Sequence, residues 1–272
     1  MKSLLLLGLA LVGSAPGAAD QRGPLVAGHR GAGGLWPENS LRAFRGALDL
    51  GVDLLELDVH LSRDGELVVM HDPRVDRTTD GRGAIEELPF AAIRQLRVRS
   101  SPDAAPIDEP PPTLAEVLAL AGGRAGLLVE IKRAEAGRYE GIEARVAAAL
   151  AAAGAAGRAV VMSFDLEYVR RVKAVDPAIR TSALLSSRQA ARGGETVEGF
   201  LGRAADAGAA EVGLDHTLIT ADVVRAARAR GLTVGAWTVD DPSRARSLAE
   251  MGVGVITTDR PDLVLEALGR RR

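Results

Sequence analysis

Residues 26–72, VAGHRGAGGLWPENSLRAFRGALDLGVDLLELDVHLSRDGELVVMHD, decide the fold. The apolar run at 25–28 stops at Gly28-His29-Arg30-Gly31, and Pro37-Glu38-Asn39-Ser40 forms a turn. Residues 40–50 then place Leu41, Phe44, Ala47 and Leu48 at helical spacing, with Asn39 or Ser40 as N-cap and Gly51 as the stop. The strand expected at 52–58 ends in Glu56-Leu57-Asp58, which completes one β-α-β unit. Asp64-Gly65 is a tight-turn signal, so 66–71 reads as a continuation of that strand rather than a new stave.

Working outward, the same alternation recurs from residue 114 to the C-terminus. Helices are expected at 114–121, 139–153, 166–175, 197–207, 221–230, 243–251 and 262–268, and strands at 126–131, 159–163, 180–184, 211–214, 233–237 and 253–257. With the strands at 25–28 and 52–58 this gives eight, and eight strands alternating with helices imply a closed (β/α)8 barrel. Residues 73–112 break the rhythm: one short helical piece near 85–96 and Pro110-Pro111-Pro112 make a small insertion after the second strand, expected to lie over the barrel mouth.

Lys2, an apolar run over 4–12 and small residues up to Ala19 have the three-part form of a secretory signal peptide at 1–19. The expectation is a single catalytic domain at 20–272, secreted or periplasmic, with no stable membrane anchor. Without cysteine it has neither disulfides nor a thiol for lipidation. Only 3% of residues are aromatic against 47% apolar overall, so Ala, Leu and Val must fill the core. A net charge of -2 argues against a nucleic-acid partner, which would call for a basic face.

Catalytic groups of such barrels collect at the C-terminal ends of the strands. Those ends supply His29-Arg30, Glu56 and Asp58, Glu130 and Lys132, Ser163, Asp215-His216, Trp237 and Asp259-Arg260. Residues two apart in a strand share a face, so Glu56 and Asp58 project together, as do Glu130 and Lys132. Three carboxylates about one point make an oxygen-only site suited to one divalent cation, Mg²⁺ or Ca²⁺, rather than zinc. Arg30 and Lys132 add positive charge for a phosphate, and His29 and His71 fit a general acid and base. The carboxylates could instead serve only as buried ion-pair partners of Arg30 and Lys132. His60 shares the parity of Glu56 and Asp58 but lies further out, which places it behind the site or at the surface. Glu38 and Asn39 read as turn and cap residues, Asp72 as a support for His71, and Trp237 as either core or a wall against the substrate.

The order H-R, P-E-N-S, E-x-D, H-D resembles the glycerophosphodiester phosphodiesterase family, and the likeness extends through Trp237-Thr238-Val239 and Thr258-Asp259-Arg260-Pro261. P-E-N-S stands where P-E-N-T is commoner. The resemblance implies a TIM barrel with an insertion after its second strand. It implies His29 and His71 as the acid/base pair, Glu56, Asp58 and Glu130 on the cation, and Arg30 and Lys132 facing the phosphate. The implied reaction releases glycerol 3-phosphate and an alcohol from a small glycerophosphodiester. A related barrel phospholipase would need a large apolar lip, and a secreted barrel that only binds phosphorylated polyols would need no pair of histidines.

Overall fold

The computed structural model describes residues 23–270, so the signal-peptide reading at 1–19 lies outside the described residues. Strands β1 (Leu25–Gly28), β2 (Leu54–Leu61), β3 (Leu67–Val69), β4 (Gly126–Ile131), β5 (Ala159–Ser163), β6 (Arg180–Leu185), β7 (Glu211–Asp215), β8 (Thr233–Trp237) and β9 (Val255–Thr258) form one sheet. Its order is β1-β9-β8-β7-β6-β5-β4-β2-β3, and β1 also pairs with β2. All pairings are parallel except that of β3, so the other strands close a barrel. As expected, β3 is not a new stave; it turns back on β2 as the antiparallel arm of a hairpin, with Val59 opposite Val69 and Leu61 opposite Leu67.

The helices are α1 (Leu41–Leu50), α2 (Phe90–Ile93), α3 (Leu114–Ala121), α4 (Ile142–Ala152), α5 (Leu166–Val175), α6 (Ser187–Gly193), α7 (Val197–Asp206), α8 (Ala221–Ala229), α9 (Pro242–Glu250) and α10 (Pro261–Ala267). Helix α1 shows why they form where they do. Ser40, not Asn39, caps it by accepting from the Ala43 N–H, and Gly51 ends it at φ 85. Ala43, Phe44, Ala47 and Leu48 form its buried stripe, and Phe44 alone is worth about 1.5–3 kcal/mol of burial. Helix α6 has no counterpart in the sequence reading. None of its residues is buried, so it shows no apolar period; a capping box between Ser186 and Gln189 starts it instead.

Each strand presents one parity to the helices and the other to the barrel interior. Leu55, Leu57 and Val59 of β2 and Leu127, Val129 and Ile131 of β4 belong to the outer core, while Ala27, Leu128, Val160, Met162, Leu184 and Val255 cluster inside. Glu56 and Asp58 therefore share the inward parity, and the β2–β4 register sets Asp58 beside Glu130. Gly213 and Gly235 pair in register on the inward parity of β7 and β8; Leu184 packs over Gly213, 2.5 Å from where a Cβ would stand, while Gly235 leaves space beneath the mouth. A Cβ on Gly235 would meet nothing closer than 3.7 Å. Residues 73–112 pack around Val75, Ile85 and Ile93, which join Val68 and Met70 in a separate small cluster.

Candidate active site

The first turn after β1 is built to aim backbone. Gly31 has φ 77, and a Cβ there would lie 2.8 Å from the Phe44 nitrogen, so only glycine lets the turn pack on α1. Arg30 is itself left-handed at φ 50, and its N–H donates to Glu56 Oε2 at 2.8 Å. Asn39, also left-handed at φ 56, donates from Nδ2 to Asp58 Oδ2 at 2.9 Å. Such conformations cost about 1–3 kcal/mol each and persist where their surroundings hold them.

Glu56, Asp58 and Glu130 each offer an oxygen within 4.8 Å of the others, and all three are at most 7% exposed. Lys132 Nζ lies 2.8 Å from Glu130 Oε1 and 3.3 Å from Asp58 Oδ1. Both readings of the carboxylates thus meet in one place: they are ion-paired, and they also form a cluster that fits a metal ion. Their electrostatics favour an added cation. Burial and then the charge of Asp58 push Glu56 up to about 8, and burial also raises Glu130 against the pull of Lys132. Burial works against ionisation of Asp58 too, but Lys132, His71, Arg30 and the Asn39 amide hold it well below the usual range. One lysine and one arginine do not offset three buried carboxylates, whereas a divalent cation among them would.

His29 and His71 line the same cavity of about 100 Å³ with Arg30, Glu56 and Glu130. His29 Nδ1 lies 2.8 Å from Asp259 Oδ1 and His71 Nδ1 lies 2.7 Å from Asp72 Oδ1. A carboxylate only accepts, so each ring carries its proton on Nδ1 and leaves Nε2 for other work. His29 Nε2 stands 4.0 Å from Glu56 Oε2. Burial lowers the His29 pKa, but the Asp259 hydrogen bond and the Glu56 charge outweigh it, and the net shift is upward.

Two buried donors lining the cavity have no acceptor among the described residues: Arg30 Nε, which is 3.7 Å from Asp58 Oδ2 and too far for a hydrogen bond, and Trp237 Nε1. Trp237 stands edge-to-face with Phe164, centroids 5.4 Å apart, on the wall of the same cavity. Lys132 faces a neighbouring cleft that shares Glu130 and Phe164 with it.

The surroundings give some residues roles beyond their sequence reading, and settle His60 on the first of its two alternatives, behind the site. Asp259 follows the last strand, and the sequence offers it only as a charge there and within the Thr258-Asp259-Arg260-Pro261 likeness; its partner His29 is 230 positions away. Glu38 is more than a turn residue: it takes Arg30 and, with two hydrogen bonds, Arg77 of the insertion, and Arg77 also grips Asp72. His60 is not at the surface; it is fully buried, and burial brings its pKa down to about 4.

The family model for the glycerophosphoryl diester phosphodiesterase family matches residues 29–263. A glycerophosphodiester phosphodiesterase of Bacillus subtilis is 30% identical, covering 96% of this chain and 94% of its own. One from Caldanaerobacter subterraneus is 32% identical over 89% of this chain and 96% of its own. A phosphodiesterase from Oleispira antarctica, solved with its product sn-glycerol-3-phosphate, superposes with a TM-score of 0.75 at 27% identity, covering 92% of this chain and 99% of that one. The match over nearly all of the barrel, reached independently of the site geometry above, means that this chain belongs to the glycerophosphoryl diester phosphodiesterase family.

Proposed function

We propose that this protein hydrolyses small glycerophosphodiesters to sn-glycerol 3-phosphate and an alcohol, with His29 and His71 as its acid/base pair. The observation that carries the reading is the placing of both histidines on one cavity with Glu56 and Glu130 of the carboxylate cluster. The names of the relatives and the product bound to the Oleispira antarctica enzyme support the substrate class.

Glu56, Asp58 and Glu130 would hold one divalent cation, Mg²⁺ or Ca²⁺, whose charge would offset that of the phosphate oxygens. Arg30 brings a guanidinium with Nε still unpaired, suited to a phosphate oxygen. Lys132 offsets Asp58 and Glu130 and adds positive charge beside the phosphate. Trp237 offers an apolar edge and a free indole N–H, the pair of contacts a glycerol unit with its hydroxyls accepts. Attack on phosphorus, whether by water or by the neighbouring glycerol hydroxyl, needs a proton taken from the nucleophile and one given to the departing oxygen. The free Nε2 atoms of His29 and His71 can do both, because Asp259 and Asp72 hold the opposite nitrogens.

His29→Ala and His71→Ala should each lower kcat on glycerophosphocholine by ~10²-fold or more, with Mg²⁺ or Ca²⁺ affinity kept. Loss of metal binding in either variant would make that histidine a ligand and contradict the assignment.

A further inference from the structure

The proposed chemistry uses two of the four histidines, yet a third is buried directly behind them. His60 lies on β2, two residues past Asp58, with no exposed surface. A buried imidazole is costly unless both nitrogens are matched, and both are. Nε2 lies 3.2 Å from the backbone carbonyl of His71, and Nδ1 lies 2.9 Å from the Tyr139 hydroxyl. A carbonyl only accepts, so Nε2 carries a proton and donates to it, while Nδ1 and the Tyr139 hydroxyl share the second bond.

The far end of this chain is firm. The Tyr139 ring meets His60 edge-to-face at 5.8 Å, and the Tyr139 N–H donates to the hydroxyl of Tyr168, a fully buried residue of α5, at 2.7 Å. The near end is where the backbone needs help. Past β3, Met70 N–H reaches the Asp58 carbonyl at 3.0 Å, and the chain then leaves the sheet. The next carbonyl, that of His71, is the one His60 takes. Asp72, itself held by Arg77, orients the His71 ring from the side-chain end, and His60 holds the same residue from its backbone.

We propose that His60 is a positioning residue for His71: its Nε2–H pins the His71 carbonyl to a Tyr139–Tyr168 anchor, and so sets where the His71 ring stands in the catalytic cavity. The inference rests on the acid/base role given to His71 above. Misplacement of a catalytic group by about 1 Å can cost up to ~10²-fold in rate.

The test is a mutant cycle on glycerophosphocholine, run with saturating Mg²⁺ or Ca²⁺ well below each variant's Tm. His60→Leu should lower kcat by ~10-fold or more with KM and metal affinity within about twofold. His60→Gln, whose amide keeps one donor and one acceptor, should recover most of the loss. In a His71→Ala background, His60→Leu should add nothing, because its effect runs through the missing ring. Should His60→Leu not fold, Tyr139→Phe takes its place, lowering kcat by ~3-fold or more alone and not at all beside His71→Ala. Nitrogen-15 spectra give a readout apart from turnover: with only four histidines, the signal lost in His60→Gln should report a ring protonated on Nε2. Wild-type kcat in His60→Leu, or an equal loss with and without His71, would overturn the positioning role. A wild-type protein that turns over no glycerophosphodiester would instead overturn the proposed function.

Discussion

Glu56→Gln should stabilise the metal-free protein at alkaline pH while weakening its hold on the cation. In the metal-free fold Glu56 titrates at about 8 against an ordinary 4.5. The folded protein therefore binds this proton more tightly than the unfolded chain does. The associated stability is fully present below pH 4.5 and is lost as pH rises through 8. Roughly 3.5 pH units at about 1.36 kcal/mol each give about 5 kcal/mol lost across that window. Asp58 does not cancel it: its pKa is depressed from 3.8, so its contribution changes only below about pH 4. The carboxamide introduced by Glu56→Gln imitates the protonated acid and can still accept from the Arg30 N–H, so the variant should escape the loss. The assay is urea unfolding in EDTA from pH 4.5 to 9. The stability difference between variant and wild type should grow toward about 5 kcal/mol with rising pH. Mg²⁺ or Ca²⁺ at 100 times Kd should then add about 2.7 kcal/mol to the wild type and clearly less to the variant. Parallel curves in EDTA would refute the reasoning, because Glu56 would then ionise as it does in the unfolded chain.

Two further substitutions test the supports of the histidines. Asp259→Asn, which removes the carboxylate holding Nδ1–H of His29, should lower kcat by ~10²-fold or more and move the His29 limb of the pH–rate profile to lower pH, with metal affinity unchanged. Arg77→Met should cost only ~1 kcal/mol of stability in urea, because its ion pairs are part-exposed, yet lower kcat by ~10-fold through the freed Asp72 and His71; an unchanged kcat would show that the insertion plays no part in the chemistry.

The barrel was legible because its helices carry buried stripes and its strands are apolar runs that stop at charges. Glu56 and Asp58 on one face of an otherwise apolar strand have no cheap burial without partners, and that alone points to the site, although β2 runs on through Leu61 rather than stopping at Asp58. What stayed hidden has a common cause: it depends on pairs that only barrel closure creates. Asp259 meets His29 because β9 lies beside β1, and Arg77 reaches Glu38 because the insertion folds back over 39 positions. Asn39 looked like a cap because Asn caps helices; one residue's shift gave that task to Ser40 and left Asn39 to hold Asp58. Helix α6 was hidden for the opposite reason, since it is held by local capping and buries nothing.

The central claim is that three buried carboxylates hold a cation beside two histidines that cleave a phosphodiester. Purified protein stripped with EDTA and assayed for glycerol 3-phosphate release from glycerophosphocholine tests it most directly. No glycerol 3-phosphate should appear until Mg²⁺ or Ca²⁺ is returned, and release should then recover fully. Undiminished release in EDTA would contradict the claim.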